Sequence, residues 1–212
     1  MKKKFLALGF FAFLITSCAS SYLQDSTNTS NSKKKYDKIL VLAKSKDKIA
    51  RMNFENQVVQ DFALSGVSAT SSESVIQTES FSDKLSESDL ENLRLKLIKD
   101  GYTGVIITYL ISKDQYSDVI PGGSSTAFVP VRYGRFGRYY GAYPMSYWEP
   151  DQIQVGIEYT LESCFYDITV DKSDNLQWVG RFKVKDPSSL NKTIEKYSKE
   201  LTAQLLLESI SQ

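Results

Sequence analysis

The chain has 212 residues, with 26 Lys and Arg against 25 Asp and Glu, 42% hydrophobic and 12% aromatic residues, two Cys and no His. The missing imidazole excludes Ser-His-Asp and Cys-His nucleophile pairs, His-ligated zinc, copper or non-haem iron, and a histidine general base. A formal charge of +1 gives no overall attraction to nucleic acid, whose phosphates are held by clustered excess Lys and Arg.

Lys2, Lys3 and Lys4 form a basic start, and Phe5 to Ile15 is an unbroken apolar run with one Gly. Eleven such residues span about 16 Å as a helix, roughly half the hydrocarbon thickness of a bilayer, so residues 1–17 read as an export signal rather than a permanent membrane span. The run ends in Ile15-Thr16-Ser17-Cys18, which resembles the bacterial lipobox. That resemblance implies a diacylglyceryl group on the Cys18 sulfur, cleavage after Ser17 and acylation (palmitate or a similar chain) of the new amino terminus. Two or three acyl chains hold a protein stably at a membrane where one does not. Ala19 follows the cysteine where enterobacterial retention would need Asp. The expected location is therefore the bacterial outer membrane, facing the periplasm, with surface exposure as the open alternative.

Residues 18–35 are the lipidated cysteine and a Ser, Thr and Asn-rich stretch ending in Lys33, Lys34 and Lys35. With little to bury, this stretch is expected to be a flexible tether reaching about 20–25 Å. The three lysines either touch anionic lipid or are simply solvated. With Cys18 lipidated, Cys164 has no partner for an intramolecular disulfide.

Residues 36–212 suit a single mixed α/β domain. Ile39 to Leu42 is a continuous apolar run typical of a buried strand. Ile49, Met52, Val59, Phe62 and Ala63 predict a helix over 48–65, stopped by Gly66. Residues 67–77 form a weaker strand candidate. Ser86-Glu87-Ser88-Asp89 reads as a capping box, with Leu85 and Leu90 as a hydrophobic staple, and opens a helix over 86–99. Val105-Ile106-Ile107 then marks a second buried strand, so strand, helix, strand, helix, strand follow in order.

Beyond a long aromatic loop, Ile153, Val155, Ile157, Tyr159 and Leu161 alternate with polar residues, predicting a half-buried strand with one wet face. The apolar parity switches at Tyr166, Ile168 and Val170, which suggests a bulge at 163–165. Asp171 to Asn175 is turn chemistry, and Leu176, Trp178, Phe182 and Val184 complete an antiparallel hairpin. Asp186-Pro187 reads as the start of a long C-terminal helix along Leu190, Ile194, Tyr197, Leu201 and Leu205.

The lipobox, the Ser/Asn stretch, Lys38-Ile39-Leu40-Val41, Gly101-Tyr102 leading into Gly104-Val105-Ile106-Ile107, a Tyr/Gly-rich insertion, Phe165-Tyr166-Asp167, Leu176-Gln177-Trp178-Val179-Gly180 and an amphipathic last helix together resemble small bacterial lipoproteins of unknown function. Their domain is similar to the amino-terminal domain of TolB and to the lipoprotein PelC of polysaccharide export. The resemblance implies an envelope location and a binding or assembly role. It transfers no catalytic residue.

The stretch from Ser112 to Pro150 is far longer than the usual connection and is expected to be a loop with a function of its own. Eight aromatics fall between Phe128 and Trp148, interleaved with a short repeat, Arg132-Tyr133-Gly134, Arg135-Phe136-Gly137 and Arg138-Tyr139-Tyr140-Gly141. Arg132, Tyr133, Arg135, Phe136, Arg138, Tyr139, Tyr140, Tyr143, Tyr147 and Trp148 are the candidate binding residues. Aromatic faces and guanidinium groups stack on sugars, peptides or bases, and for an exported, lipidated protein the bases drop out. The partners in view are glycan, an envelope polypeptide or a second copy of the chain. The alternative is that the same side chains merely cover the sheet as a β-ribbon.

Pro121-Gly122-Gly123-Ser124-Ser125 lacks the Lys-Ser/Thr of a phosphate loop and reads as a turn. Asp171, Asp174 and Asn175 lack the spacing of a calcium loop. Glu158 and Glu162 share one strand face, but about 13 Å of backbone lies between them, wide for paired acid chemistry. No cofactor or metal is expected. The reading is a lipid-anchored, non-catalytic envelope module. A carboxylate-based glycan hydrolase and a purely structural membrane-associated oligomer are its rivals.

Overall fold

The computed structural model describes residues 20–75, 86–133, 139–171 and 173–211, with side chains for all of these except 128–133 and 139–145. The proposed signal and Cys18 lie outside the described residues. The fold is mixed α/β. A six-stranded sheet has the order β1-β8-β7-β4-β2-β3, built from β1 (Leu23–Asn28), β2 (Ile39–Lys44), β3 (Ala69–Ser71), β4 (Gly104–Ile120), β7 (Gln152–Asp167) and β8 (Leu176–Lys185). β2 pairs in parallel with both β3 and β4, while β4–β7, β7–β8 and β8–β1 are antiparallel. Helices α1 (Lys48–Leu64) and α3 (Leu190–Glu208) cover one face, and α2 (Glu87–Lys99) covers part of the other.

This layering explains the unbroken apolar run of β2. Ile39, Val41 and Ala43 face α1 and α3 together with Ile106, Phe165, Trp178, Phe182 and Val184. Leu40 and Leu42 face α2 with Val105, Ile107 and Tyr166. A strand covered on both faces has no position to give to a polar side chain. Gly104 is required by the packing of this centre, since a Cβ there would stand 2.8 Å from the Phe165 ring.

The capping box at Ser86 and Asp89 is present, and Leu97 is buried beneath α2. The predicted staple partner Leu85 lies outside the described residues. The helix ends at Asp100, and Gly101 follows at φ +82°, a left-handed position that glycine takes without strain.

The stretch read as a flexible tether contributes an edge strand, β1, because its backbone finds partners that its composition does not reveal. Tyr22 and Leu23 donate their amides to the Glu200 carboxylate at 2.8 and 2.9 Å, and both side chains pack on the core. The buried face of α1 carries Phe54, Val58 and Phe62 together with Arg51, Glu55 and Asp61, whereas Ile49 is 69% exposed. Glu55 and Asp61 sit on this face because they are answered. Glu55 accepts from Ala43 N, Ser72 N and Ser72 Oγ, and Asp61 accepts from Ser198 Oγ.

The stretch from Ser112 to Pro150 is not a loop but the outer half of β4, then β5 (Ser124–Tyr133) and β6 (Tyr139–Trp148), leading into β7. No bulge interrupts β7 at 163–165. The register shifts fall instead between Leu110 and Ser112 of β4, and opposite Phe165 and Tyr166 in β8. The parity switch in the sequence records a second covered face: Leu161 and Phe165 meet the α1/α3 layer, whereas Tyr166 and Ile168 meet α2. The cap of α3 is Ser189, not Asp186.

Candidate functional site

Beyond the point where β2 and β8 stop, β4 and β7 continue together as a two-stranded arm. Its register pairs Gln115 with Ile157, Ser117 with Val155 and Val119 with Ile153, continuing the face of Tyr159, which still pairs with Val184 of β8. Cross-strand partners share a face, so Ile153, Val155, Ile157, Tyr159 and Val119 form one apolar stripe. That stripe prolongs the core face of the sheet past its helices. Ile153, Val155 and Val119 are 70%, 65% and 59% exposed. The opposite face carries Asp114 with Glu158 and Asp118 with Gln154.

The root of the arm is clamped. Asp186, held at φ +42°, accepts hydrogen bonds from the Ile157 amide and the Tyr116 hydroxyl, and its own amide donates to Ile157 O. The Lys185 ammonium lies 4.6 Å from the centre of the Tyr116 ring. Gly156 makes room for this clamp, because a Cβ there would stand 2.6 Å from both the Asp186 carboxylate and the Tyr116 ring.

From the arm's tip, β5 and β6 form a separate two-stranded ribbon, paired antiparallel with each other. Gly122 N donates to Asp151 and Glu149 N to Gly123 O, which closes the junction. The register places Tyr133, Tyr139, Tyr143 and Tyr147 on one face of the ribbon, and Arg132, Tyr140 and Trp148 on the other. Tyr147 and Trp148 are 49% and 72% exposed. Arg135, Phe136 and Arg138 lie outside the described residues. The ribbon thus gathers much of the predicted aromatic set at the far end of the apolar stripe.

The Glu158 and Glu162 carboxylates are engaged separately. Glu158 meets Lys183 at 2.8 Å and Lys185 at 3.7 Å. Glu162 accepts from Arg181 Nε at 2.9 Å and from the Tyr109 hydroxyl. Burial raises its pKa, but Tyr109 and Arg181 together hold it below the usual carboxylate range. Cys164 is buried, and desolvation pushes its thiol pKa up, which suits a structural thiol rather than a nucleophile. Among the described residues no group of His, Cys, Asp and Glu is placed to hold a metal ion. Among them, too, no helix is long and apolar enough to cross a membrane.

A second feature, missed by sequence reasoning, is a cavity of about 290 Å³ where the arm leaves the body. Ala43, Lys44 and Ser45 at the end of β2, Ala50, Arg51 and Phe54 of α1, and Leu190, Thr193, Ile194 and Tyr197 of α3 form three sides. Thr108 to Leu110, Tyr159, Leu161 and Val184 of the sheet complete it. At its floor Thr108 Oγ1 and Ser163 Oγ are 2.6 Å apart, and Ser163 Oγ lies 3.0 Å from the Tyr197 hydroxyl. Burial pushes the Tyr197 hydroxyl pKa well above its ordinary value.

No known protein family matches the chain, and no curated protein matches it in sequence. Among solved structures, it is similar to the PelC dodecamer from Paraburkholderia phytofirmans, at 6% identity and a TM-score of 0.45 over 85% of this chain and 94% of that one. It is also similar to the lipoprotein GNA1162 from Neisseria meningitidis, at 12% identity and a TM-score of 0.38 over 81% of this chain and 99% of that one.

Proposed function

We propose that this is a lipid-anchored protein of the bacterial envelope, held through Cys18 in the outer membrane and facing the periplasm, whose domain is a non-catalytic assembly module. The arm is the contact surface. The observation that carries this reading is the apolar stripe of Val119, Ile153, Val155 and Ile157, which extends the core face of the sheet beyond the helices and is left open to solvent at its outer end. A two-stranded arm also has two open ladder edges, which accept further strands. Glu158 and Glu162, the carboxylates a hydrolase would draw on, are committed to separate cations.

A photo-cross-linking residue placed at Val155 should capture a protein partner in cells, a second copy being the first candidate by mass, while one at Gln154 on the opposite face should not. Equal capture from both positions would refute the arm as a specific surface. Labelled palmitate should enter the wild-type chain and be lost in Cys18→Ala; persistence of label in that variant would remove the anchor.

A further inference from the structure

We propose that the cavity at the end of β2 shelters one acyl chain of the lipidated Cys18 when the protein is away from a bilayer. The inference rests on the lipid anchor proposed above and is independent of the arm.

The chain enters the fold beside this cavity. β1 runs antiparallel to β8, with Leu23 opposite Phe182 and Lys183 N donating to Tyr22 O at 2.8 Å. Followed back toward Cys18, Tyr22 and Ser21 therefore lead toward Val184, which lines the cavity. Helix α3 fixes this entry. Glu200 accepts from the Tyr22 and Leu23 amides and from Ser21 Oγ at 2.8, 2.9 and 2.9 Å. The Lys196 ammonium donates to Ser20 O and lies 4.0 Å from the centre of the Tyr22 ring. One turn before Lys196, about 5 Å along the helix, Thr193 lines the cavity. Chain connectivity keeps the Cα of Cys18 within about 7 Å of that of Ser20. An acyl chain that fills one leaflet spans about 15 Å, enough to pass Thr193 and enter.

The interior suits hydrocarbon. Phe54, Leu161, Val184 and Ile194 supply apolar walls, and the Thr108, Ser163 and Tyr197 hydroxyls at the floor are bonded to one another. Lys44 and Arg51, the cations that line it, are already engaged, so the cavity offers no charge to an occupant. Water held there finds few partners and is readily displaced by carbon. The volume of about 290 Å³ corresponds to roughly ten methylene-sized groups, the outer part of one acyl chain. Half-exposed Leu110 and Leu190 form an apolar lip for the carbons that remain outside.

The short link holds the acyl chain near the cavity at an effective concentration on the order of millimolar. In water the alternative is exposed hydrocarbon. A bilayer buries every methylene of the chain, more than the cavity takes, so contact with a membrane draws the chain out again.

The test uses the native lipidated protein from cells fed a palmitate analogue with a diazirine in its outer half, freed of detergent and irradiated. Cross-links within one molecule should fall on peptides carrying Phe54, Leu161 or Ile194. Ala50→Leu, which fills the cavity while keeping a strong helix former, should cut that yield about tenfold with thermal stability retained. Leu64→Ala, an exposed change at the far end of α1, should leave the yield unchanged. Added vesicles of phosphatidylethanolamine and phosphatidylglycerol should move the cross-links from protein to lipid. Cross-links between two copies, cross-links confined to Ile153 and Val155 on the arm, an undiminished yield in Ala50→Leu, or cavity cross-links that persist on vesicles would each overturn the shelter. A chain whose intact mass carries no acyl group would remove the anchor and this inference together, whereas an acylated chain without cavity cross-links overturns this inference alone.

Discussion

The Tyr116 hydroxyl donates a hydrogen bond to the Asp186 carboxylate, tying the outer half of β4 to the residue that follows β8. The same carboxylate accepts from Ile157 N on β7. One side chain therefore bridges both strands of the arm at its root, and it does so from a left-handed backbone position that Asp and Asn tolerate better than most residues. An arm without this clamp would be a lone two-stranded ribbon, which is marginal in water.

Asp186→Asn keeps the backbone preference and the shape while removing the charge. Tyr116 has its pKa pushed up to about 12 by the hydrogen bond to Asp186 and, after it, by burial and nearby carboxylates. In the variant it should titrate closer to about 10, the ordinary tyrosine value. The ring carbon resonance of Tyr116 followed against pH checks this. Exchange of the Ile157 amide should accelerate in Asp186→Ala, while amides of β2 stay protected. An unchanged Tyr116 titration would mean that the clamp does not persist in solution.

The arm's stripe should matter to assembly and not to folding. Ile153 and Val155 are 70% and 65% exposed, so the double change to Asp removes little buried area and should move the unfolding free energy by no more than about 0.5 kcal/mol per site. If the stripe holds partners, the same variant should run as a monomer in sedimentation, where the wild-type chain forms a larger species. A Trp148→Ala variant separates the contribution of the ribbon from that of the stripe.

The parts of the fold that were legible in the sequence are those where apolar patterning and local chemistry agree. β2 and the inner part of β4 announce themselves as continuous apolar runs, and Ser86 with Asp89 marks the start of α2. The rest was hidden because the deciding partners are distant. β1 is anchored by Glu200, which lies on α3. The buried face of α1 includes Glu55 and Asp61, and these look solvated until Ser72 and Ser198 are seen beside them. The outer arm looks like loop in sequence because Ser112 to Asp118 is polar; a hint lies in Pro121-Gly122-Gly123, a turn signal, and in the alternation that β7 shows plainly. The cavity had no sequence signal at all, since its walls come from α1, α3 and the sheet.

Glu55 ties β2, α1 and the turn after β3 together inside the core. It is fully buried and accepts from Ala43 N at 2.9 Å, Ser72 N at 2.9 Å and Ser72 Oγ at 2.8 Å. Burial raises its pKa, and these donors oppose that rise. Glu55→Ala strands three donors at once and should cost about 3 kcal/mol or more, at roughly 1–3 kcal/mol for each unsatisfied group. Urea unfolding should show the midpoint falling with the slope unchanged. Ser72→Ala, which removes one donor and leaves the two amides paired, should cost less.

Lys34 and Asp167 give a test with a pH signature. The ammonium stands 2.5 Å from a carboxylate whose side chain is 2% exposed. Burial alone would push Asp167 up, but Lys34, with the hydroxyl and amide of Thr169, holds it below the usual carboxylate range. A depressed folded-state pKa means that the stabilisation is fully present above the unfolded value of about 3.9 and is lost as pH falls through the lower folded value. Lys34→Met removes the opposing cation and leaves burial in control, so the folded pKa should rise. At pH 7 the variant should be less stable by about 1 kcal/mol, a figure kept small because Lys34 is half exposed and screened by water. Below about pH 3 the carboxyl is protonated in the unfolded chain and increasingly so in the folded one, and the two proteins should converge. Unfolding measured in urea at pH 7, 5, 4 and 3 reads this convergence. A gap of constant size across that range would show that Lys34 acts through packing of its aliphatic stem, and not through its charge on Asp167.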